Sequence, residues 1–151
     1  MLNIILPEIQ SIDPQQVALY KAKVAQDVGY DNFIVEDSGL LLGDNKEVGA
    51  LIKWIENWRI SLAYREEKAE AISVFVLYKG GKFKVFKDRV FGKIVSERGK
   101  NGFGWDEIFE FKGKTFAEMT KEEKNKVSPR AGALEELKEY LIKLREYYER
   151  F

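Results

Sequence analysis

The chain has 151 residues, 45% hydrophobic and 13% aromatic, which is enough for one packed core but not for two, so we predict a single domain over residues 1–151. Its 25 basic and 25 acidic residues balance, so no overall field favours nucleic acid or a membrane surface as a partner. The absence of cysteine and histidine excludes disulfides, thiolate metal sites and catalytic triads that use imidazole.

The chain lacks the patterns that mark membrane or exported proteins. No apolar run approaches the ~20 residues that span a bilayer, and no basic segment followed by an apolar one stands at the start. The missing cysteines suit a reducing compartment. We therefore expect a cytoplasmic protein.

The first elements predicted along the chain are a strand and a helix. Residues 3–6 form a short apolar run that ends at Pro7. Asp13 then has the position of an N-cap, with Pro14 in the first turn of the helix. Apolar residues follow at helical spacing, and Gly29 is a suitable end.

The next segment predicts a buried strand and a second helix. Residues 32–36 (NFIVE) have the composition of a buried strand, and the polar residues 37–39 predict that the strand breaks there. An apolar run resumes at residues 40–42. The apolar spacing over residues 46–58 predicts a helix.

The middle of the chain predicts antiparallel strands. Residues 71–78 and 83–86 flank a Lys-Gly-Gly turn, which is typical of a hairpin. Residues 90–95 predict a third strand. The expected domain is therefore a mixed α/β structure built on a long, partly antiparallel sheet.

Two helices are predicted near the end of the chain. Thr120 and Glu123 form a capping box that opens a short helix. Ser128 caps a longer helix with Pro129 in its first turn, where the missing N–H of proline is not needed.

The chemistry-bearing candidate in the first half is the sequence Glu36-Asp37-Ser38-Gly39. Mg²⁺ prefers oxygen ligands, often one or two carboxylates together with substrate phosphates. Because neighbouring residues of a strand face opposite sides, only one of the two carboxylates can enter a given cleft. The alternative is an acidic strand end whose side chains satisfy a turn, and the pattern leaves both open.

Glu8 and Lys21 are weaker candidates when each is taken alone. Glu8 becomes a second metal ligand if its loop lies beside Asp37, and Lys21 on the first helix can reach a phosphate as a point charge. A solvated surface glutamate and an exposed helix lysine are the ordinary alternatives for these residue types.

A further group of candidates lies in the C-terminal third. Trp105 and Asp106 follow the glycine-rich residues 101–104, where a backbone can approach a ligand closely. Tryptophan can stack on a base, and a carboxylate can bond to a base edge. The candidates on the two C-terminal helices are Lys124, Ser128 and Arg130. The alternative is that Trp105 and Phe109 belong only to the core.

These stretches, taken in order, resemble the inosine triphosphate pyrophosphatase family, which hydrolyses aberrant purine nucleoside triphosphates to the monophosphate and pyrophosphate. The likeness is carried by LPEIQS (residues 6–11), Lys21-Ala22, VEDSGL (35–40) and GFGWDEIF…TFAEMTKEEKNKVS (102–128). It is colinear over most of the chain. It implies an elongated α/β fold with a mixed, twisted central sheet, flanking helices and two lobes around a cleft.

The same resemblance implies the partners and the site. ITP, XTP or dITP would be the substrate, Mg²⁺ the cofactor, and a homodimer the assembly. Glu8 and Asp37 would hold the metal, and Asp37 would also be the catalytic base for the attacking water. The implied substrate-binding residues are Lys21, Ser38, Trp105, Asp106, Lys124, Ser128 and Arg130. This set suits triphosphate hydrolysis, which needs a metal, cations and a carboxylate but no histidine.

The sequence departs from the family pattern at three places. We find no counterpart of the first strand with its Ser/Thr-Gly-Asn…Lys phosphate loop, and Gly43-Asp44-Asn45-Lys46 stands where a Pro-Gly-x-Tyr-Ser segment usually follows. The family's Ser-His-Arg reads Ser128-Pro129-Arg130. A second interpretation is therefore a divergent, shortened relative that binds nucleotide without hydrolysis or assembles with a full-length paralogue. A third is an unrelated interaction domain, in which Glu8 and Asp37 would lie far apart.

Overall fold

The computed structural model describes residues 4–150. Its strands are β1 (Phe33–Leu42), β2 (Glu47–Gly49), β3 (Lys68–Lys79), β4 (Lys82–Ile94), β5 (Phe109–Phe111) and β6 (Lys114–Thr115). Its helices are α1 (Pro14–Asp27), α2 (Asn57–Ala63), α3 (Lys121–Val127) and α4 (Pro129–Glu149), with short 3₁₀ helices at Ala50–Trp54 and Phe116–Glu118. Over these residues the strands form one six-stranded sheet in the order β2-β1-β3-β4-β5-β6. The predicted α/β class is confirmed.

Every described strand pairing is antiparallel, and a long hairpin forms the centre of the sheet. The predicted hairpin of residues 71–78 and 83–86 is confirmed. The separate strand predicted at residues 90–95 is wrong, since β4 runs without interruption to Ile94. β3 extends back to Lys68, which pairs with Lys93, and so it supplies a partner along β4 from Lys82 to Lys93.

The break predicted in the first strand at residues 37–39 is also wrong, because β1 is continuous through them. β3 pairs with β1 at each of these positions, and Gly39 lies opposite Ile72. A β-carbon on Gly39 would stand 2.6 Å from the carbonyl carbon of Gly49. Glycine at this position therefore lets β2 approach β1 rather than ending the strand.

The helix predicted over residues 46–58 does not form. The segment contains β2, the 3₁₀ helix and the first residues of α2 instead. Gly49 has a φ of +52°, a left-handed conformation that no α-helix contains, and the N–H of Ala50 donates to the carbonyl of Ile12 at 2.9 Å. These tertiary contacts override the apolar spacing.

The strand predicted at residues 3–6 is not found in its described part. Residue 3 lies outside the described residues, and residues 4–6 have no regular secondary structure. Ile5 is 98% exposed, and none of the described strand pairings includes this segment. Apolar composition without a pairing strand does not make a β-strand.

Helix α1 begins as predicted. The Asp13 carboxylate accepts from the N–H of Gln15 at 2.8 Å and caps the first turn. Ala22 of α1 joins Val74 and Val76 of β3 in one core cluster. α1 therefore covers one face of the sheet.

Helices α3 and α4 also begin at the predicted caps. Thr120 and Glu123 form the reciprocal capping box of α3, and the Ser128 hydroxyl accepts from the first turn of α4. Leu137 of α4 packs in one cluster with Phe75 of β3, so α4 covers the opposite face. No helix within residues 4–150 has the length and apolarity needed to cross a bilayer.

The remaining core lies at the far end of the sheet. Leu40 and Ile94 meet Ile60 of α2 and the rings of Phe109 and Phe116 in the same cluster. Strands β5 and β6, which sequence patterns did not predict, belong to this half. A cleft opens between this cluster and helices α3 and α4.

Candidate functional site

The cleft has a volume of about 670 Å³ and lies between the sheet, the glycine-rich segment and helices α3 and α4. Of the predicted substrate-binding residues, those that line it are Ser38, Trp105, Asp106, Lys124, Ser128 and Arg130. The structure thus brings together residues separated by 92 positions in the case of Ser38 and Arg130. Lys21 does not line this cleft.

Asp106 is the buried anchor of the glycine-rich segment. It is 3% exposed, accepts from the N–H of Phe103 at 2.8 Å, and forms an ion pair with the ammonium of Lys124. Gly102 has a φ of +81° and faces the carboxylate so closely that a β-carbon there would collide with it. The glycines therefore serve the turn that wraps Asp106.

Trp105 packs on the core and also lies at the wall of the cleft. Its ring contacts Phe109 with centroids 5.7 Å apart and Phe116 at 6.1 Å, so it packs on the core. It also lines the cleft. A ring supported from behind by other rings is a rigid surface on which a base can stack.

Phe103 is a residue of the cleft that the sequence analysis did not select. It is 62% exposed, and its ring lies 4.7 Å from the Lys124 ammonium and 4.9 Å from the Arg130 guanidinium. An aromatic ring between two cations is held by cation–π attraction. The signal in the sequence was an aromatic residue inside the glycine-rich segment.

Glu36 is a second residue that the analysis did not assign to the site. Its Oε1 accepts from Arg130 Nε at 2.6 Å and from the Ser73 hydroxyl at 3.1 Å. Its neighbour Asp37 faces the other side of the sheet, as strand alternation predicts. Arg130 is therefore already paired with a carboxylate.

The second cluster lies on the α1 side of the sheet. The Lys21 ammonium donates to Asp37 Oδ1 at 2.8 Å and to the Glu36 carbonyl at 3.0 Å, and it lies 3.3 Å from Glu8 Oε2. Lys53, which the sequence analysis did not select, pairs with the other Glu8 oxygen. Glu8 and Asp37 thus share one ammonium group and lie close together. The interpretation of the chain as an unrelated interaction domain expected them to lie far apart.

Burial sets the electrostatics of this cluster. It raises the pKa of the Asp37 carboxyl above the ordinary aspartate value, and the hydrogen bond from Lys21 offsets only part of that effect. Burial also lowers the pKa of the Lys53 ammonium. The Oδ2 atom of Asp37 is buried without a hydrogen-bond partner, which is an unfavourable state for a carboxylate oxygen.

The donor set suits a hard divalent cation of the Mg²⁺ type. Within residues 4–150 no group of three or more acidic, cysteine or histidine side chains is placed to enclose a metal. Mg²⁺ does not need such a cage, because it commonly uses one or two carboxylates and completes its shell with water and phosphates. Glu8 and the orphaned Oδ2 of Asp37 meet that requirement.

The two clusters meet at the edge of β1. β2 pairs with β1 only from Leu40 to Leu42, and in the described part of the chain residues 33–39 have a strand partner on the β3 side alone. A ligand that reached from the cleft to Lys21 would therefore pass over a strand edge that has no described strand partner.

Comparison with known proteins shows what the chain is similar to. A family model described as the Ham1 family matches residues 2–140. The inosine triphosphate pyrophosphatase of Phaeosphaeria nodorum is 37% identical over 149 residues, which cover 92% of this chain and 79% of that protein. The enzyme of the same name from Fusarium vanettenii is 40% identical over 147 residues, with coverages of 89% and 78%.

Solved structures agree with these matches. The Ham1 protein of Staphylococcus aureus has a TM-score of 0.71 and 28% identity, covering 92% of this chain and 81% of that one. A HAM1 protein from Coxiella burnetii has a TM-score of 0.77 and 25% identity, with coverages of 91% and 82%. The fold and the sequence therefore point to the same group of proteins.

Proposed function

Because this chain belongs to the Ham1 family, we propose that it is a nucleoside triphosphate pyrophosphatase. It hydrolyses a purine nucleoside triphosphate of the ITP, XTP or dITP type to the monophosphate and pyrophosphate, with Mg²⁺ as cofactor. The observation that carries the proposal is the convergence of Glu8 and Asp37 on the ammonium of Lys21 beside an aromatic, cation-lined cleft.

The cleft is the base-binding part of this proposal. Phe103 and Trp105 supply ring faces for stacking, and Asp106 and Lys124 supply a polar pair at the cleft wall. A buried donor that bonds to an oxygen on the purine has no acceptor when the purine carries an amino group at that position. Leaving a buried donor unpaired strongly weakens binding of that ligand. The partly buried ammonium of Lys124, which pairs with Asp106 at the cleft wall, is the candidate for this donor and supports a preference for 6-oxo purines.

The cluster beside β1 is the reaction centre. Glu8 and Asp37 would hold Mg²⁺, which when bound would neutralise negative charge on the phosphates. Lys21 binds a phosphate oxygen as a point charge. Asp37 is the candidate base, and burial raises its pKa in the metal-free protein, which makes its carboxylate a stronger proton acceptor than an ordinary aspartate.

The proposed reaction is the hydrolysis of one phosphoanhydride bond by water. A water oxygen forms a bond to phosphorus while the bond between the α and β phosphates breaks, and pyrophosphate leaves with the electron pair. The carboxylate of Asp37 takes the proton of the attacking water. Arg130 and Lys124 hold the nucleotide in line, which is how proteins contribute most to phosphoryl transfer.

The direct test is a hydrolysis assay on ITP, XTP, dATP and GTP with Mg²⁺. We expect pyrophosphate release from ITP and XTP, its loss in Asp37→Asn, and normal release in Asp27→Asn, which changes an exposed aspartate on α1. Absence of turnover above background on the whole panel would refute the proposal.

A second candidate function is nucleotide binding without hydrolysis, alone or in an assembly with another member of the family. Its supporting observation is that the cations of the site are already paired with carboxylates: Lys21 with Asp37, Lys124 with Asp106, and Arg130 with Glu36. Pro129 also stands where the family has histidine. Calorimetric binding of ITP without pyrophosphate release would favour this candidate.

We also propose a homodimer in the cytoplasm. Trp54, Trp58 and Leu62 are large apolar side chains that are half or more exposed, and exposed apolar side chains at such a density often mark an interface. The cysteine-free composition suits a reducing compartment. Light scattering that shows a monomer at micromolar concentration would remove the dimer from the proposal.

A further inference from the structure

The tip of the glycine-rich segment carries a large aromatic ring that burial does not fix. Phe103 lies between Gly102 and Gly104, which have φ values of +81° and +60°, and it is 62% exposed. The cations of Lys124 and Arg130 attract its ring, but each belongs to a long side chain with many rotamers. The position of the ring therefore depends on what holds the two glycines.

The Gly102 side of the tip is held by residues that are near in sequence. A β-carbon added at Gly102 would lie 2.0 Å from Asp106 Oδ2, and the same oxygen accepts from the N–H of Phe103 at 2.8 Å. Just before the tip, the side-chain amide of Asn101 donates to the Met119 carbonyl at 3.0 Å. This half of the tip is thus fixed to its own neighbourhood.

The Gly104 side is held by a residue from another part of the chain. A β-carbon added at Gly104 would meet nothing within 4 Å, so packing does not fix this side. Its carbonyl accepts from the side-chain amide of Asn57 at 2.8 Å, across 47 positions of sequence. Asn57 is not among the residues that line the cleft. It therefore acts on the cleft only through the segment that it holds.

Helix α2 gives Asn57 a fixed position. Asn57 is the first residue of α2, and Ile60, which is 2% exposed, packs in one cluster with Phe109 and Phe116. The start of α2 cannot move far without opening this core. A glycine-rich tip has more conformations than other segments, and a hydrogen bond to a fixed helix reduces their number.

We propose that Asn57 is a positioning residue of the base-binding cleft and holds Phe103 in place through the Gly104 carbonyl. This inference rests on the proposed function, in which a purine stacks on Phe103 and Trp105. Ordering a loop before the ligand arrives reduces the conformational entropy that binding must overcome. Loss of the hydrogen bond should therefore weaken base binding and leave the chemistry at Asp37 unchanged.

Asn57→Asp is the informative variant, because aspartate has the shape of asparagine but its carboxylate cannot donate to the Gly104 carbonyl. A negative side chain is favourable in the first turn of a helix, so the melting temperature should not fall. Hydrogen exchange measured by mass spectrometry should be faster over residues 101–105 in the absence of ligand. KM for ITP should rise about fivefold, the effect of one lost hydrogen bond, with kcat unchanged.

Calorimetry in Mg²⁺ buffer with IMP and inorganic pyrophosphate separates base binding from phosphate binding. In Asn57→Asp the affinity for IMP should fall about fivefold, whereas the affinity for pyrophosphate, which has no base, should not change. Asn57→Ala removes the donor without adding a charge and should give the same pattern. It decides the case if the aspartate variant does not melt cooperatively.

Asn45→Asp is the matched control. It makes the same chemical change at an exposed position of the turn between β1 and β2, so it should behave as wild type in exchange, turnover and binding.

Unchanged IMP affinity in a folded Asn57 variant would overturn the inference. Equal losses of IMP and pyrophosphate binding would also overturn it, because they indicate a general structural role, and so would a wild-type protein that binds no IMP. The exchange and IMP measurements need no turnover, so they separate this inference from the proposed function. ITP hydrolysis by the wild-type protein leaves that function standing whatever the variants do, and its absence beside the expected IMP pattern refutes hydrolysis alone.

Discussion

The Lys21 ammonium lies 2.8 Å from Oδ1 of Asp37, while the second oxygen of the same carboxylate is buried without a hydrogen-bond partner. Asp37 is therefore held in position by one oxygen and leaves the other available. A partly satisfied carboxylate is costly to the folded state, and such costs are commonly retained where a group has chemistry to perform.

Asp37→Asn is expected to lower the rate of ITP hydrolysis by about 10²–10⁴-fold, the usual contribution of a general base. It should also raise the melting temperature at pH 7, because it removes a buried charge that burial disfavours. Calorimetric melting and a pyrophosphate-release assay measure the two effects. A variant that is both inactive and less stable than wild type contradicts this account of Asp37.

The activity should fall on the acid side as Asp37 becomes protonated. In the metal-free protein burial raises the pKa of Asp37 above its ordinary value, so protons compete with Mg²⁺ for this carboxylate, and the acid limb of kcat/KM should move to lower pH as the Mg²⁺ concentration is raised. Stability changes in the opposite direction: since the folded state binds this proton more tightly, the contribution of Asp37 to stability falls as pH rises between the ordinary and the raised pKa. Asp37→Asn should remove that slope from a plot of melting temperature against pH.

Chelation of divalent cations should abolish hydrolysis, and Mg²⁺ should restore it. Glu8 and Asp37 both form ion pairs with the Lys21 ammonium. Without a metal, the carboxylates and this ammonium therefore neutralise one another. Nucleotide should therefore raise the melting temperature in Mg²⁺ much more than in EDTA, since only bound ligand stabilises the fold. Equal stabilisation by ITP in both buffers would show that phosphate binding does not depend on the metal.

Gly49→Ala should destabilise the fold by more than about 1 kcal/mol, because the residue has a positive φ and its added β-carbon meets the Ile12 carbonyl. The collision displaces residues 8–12, the segment that carries Glu8, so activity should fall as well. Gly80→Ala is the matched control: its φ is also positive, but nothing lies within 4 Å of the added atom. Urea denaturation compares the two, and equal costs would show that the contact with Ile12 is unimportant.

Asp106→Asn should weaken nucleotide binding while leaving the chemical step nearly intact. The amide oxygen can still accept from the Phe103 N–H, but the charge that holds the Lys124 ammonium is lost. We expect KM for ITP to rise about tenfold, as for one charged hydrogen bond, with kcat changed little. A large fall in kcat at unchanged KM would place Asp106 in the reaction centre instead.

Local patterns predicted the helix starts well. Asp13, Thr120 and Ser128 each satisfy an N–H group in the first turn of their own helix, so the information lies within four residues of sequence. The strand break at residues 37–39 and the helix over 46–58 were predicted wrongly for the opposite reason. Pairing with β3 and the contact of Gly49 with Ile12 decided those segments, and both partners are distant in sequence.

The residue types of the site could be predicted from the sequence, because carboxylates, lysines and glycine-rich turns are short-range features that a family likeness preserves. Phe103, Glu36 and Lys53 were not selected, because each is held by a partner from another part of the chain. Phe103 contacts Lys124 and Arg130, Glu36 pairs with Arg130, and Lys53 pairs with Glu8. The chain by itself determined which groups are available and where its helices begin. Only the tertiary structure decided which charges meet, because an ion pair depends on distances of a few ångströms that no spacing along the chain encodes.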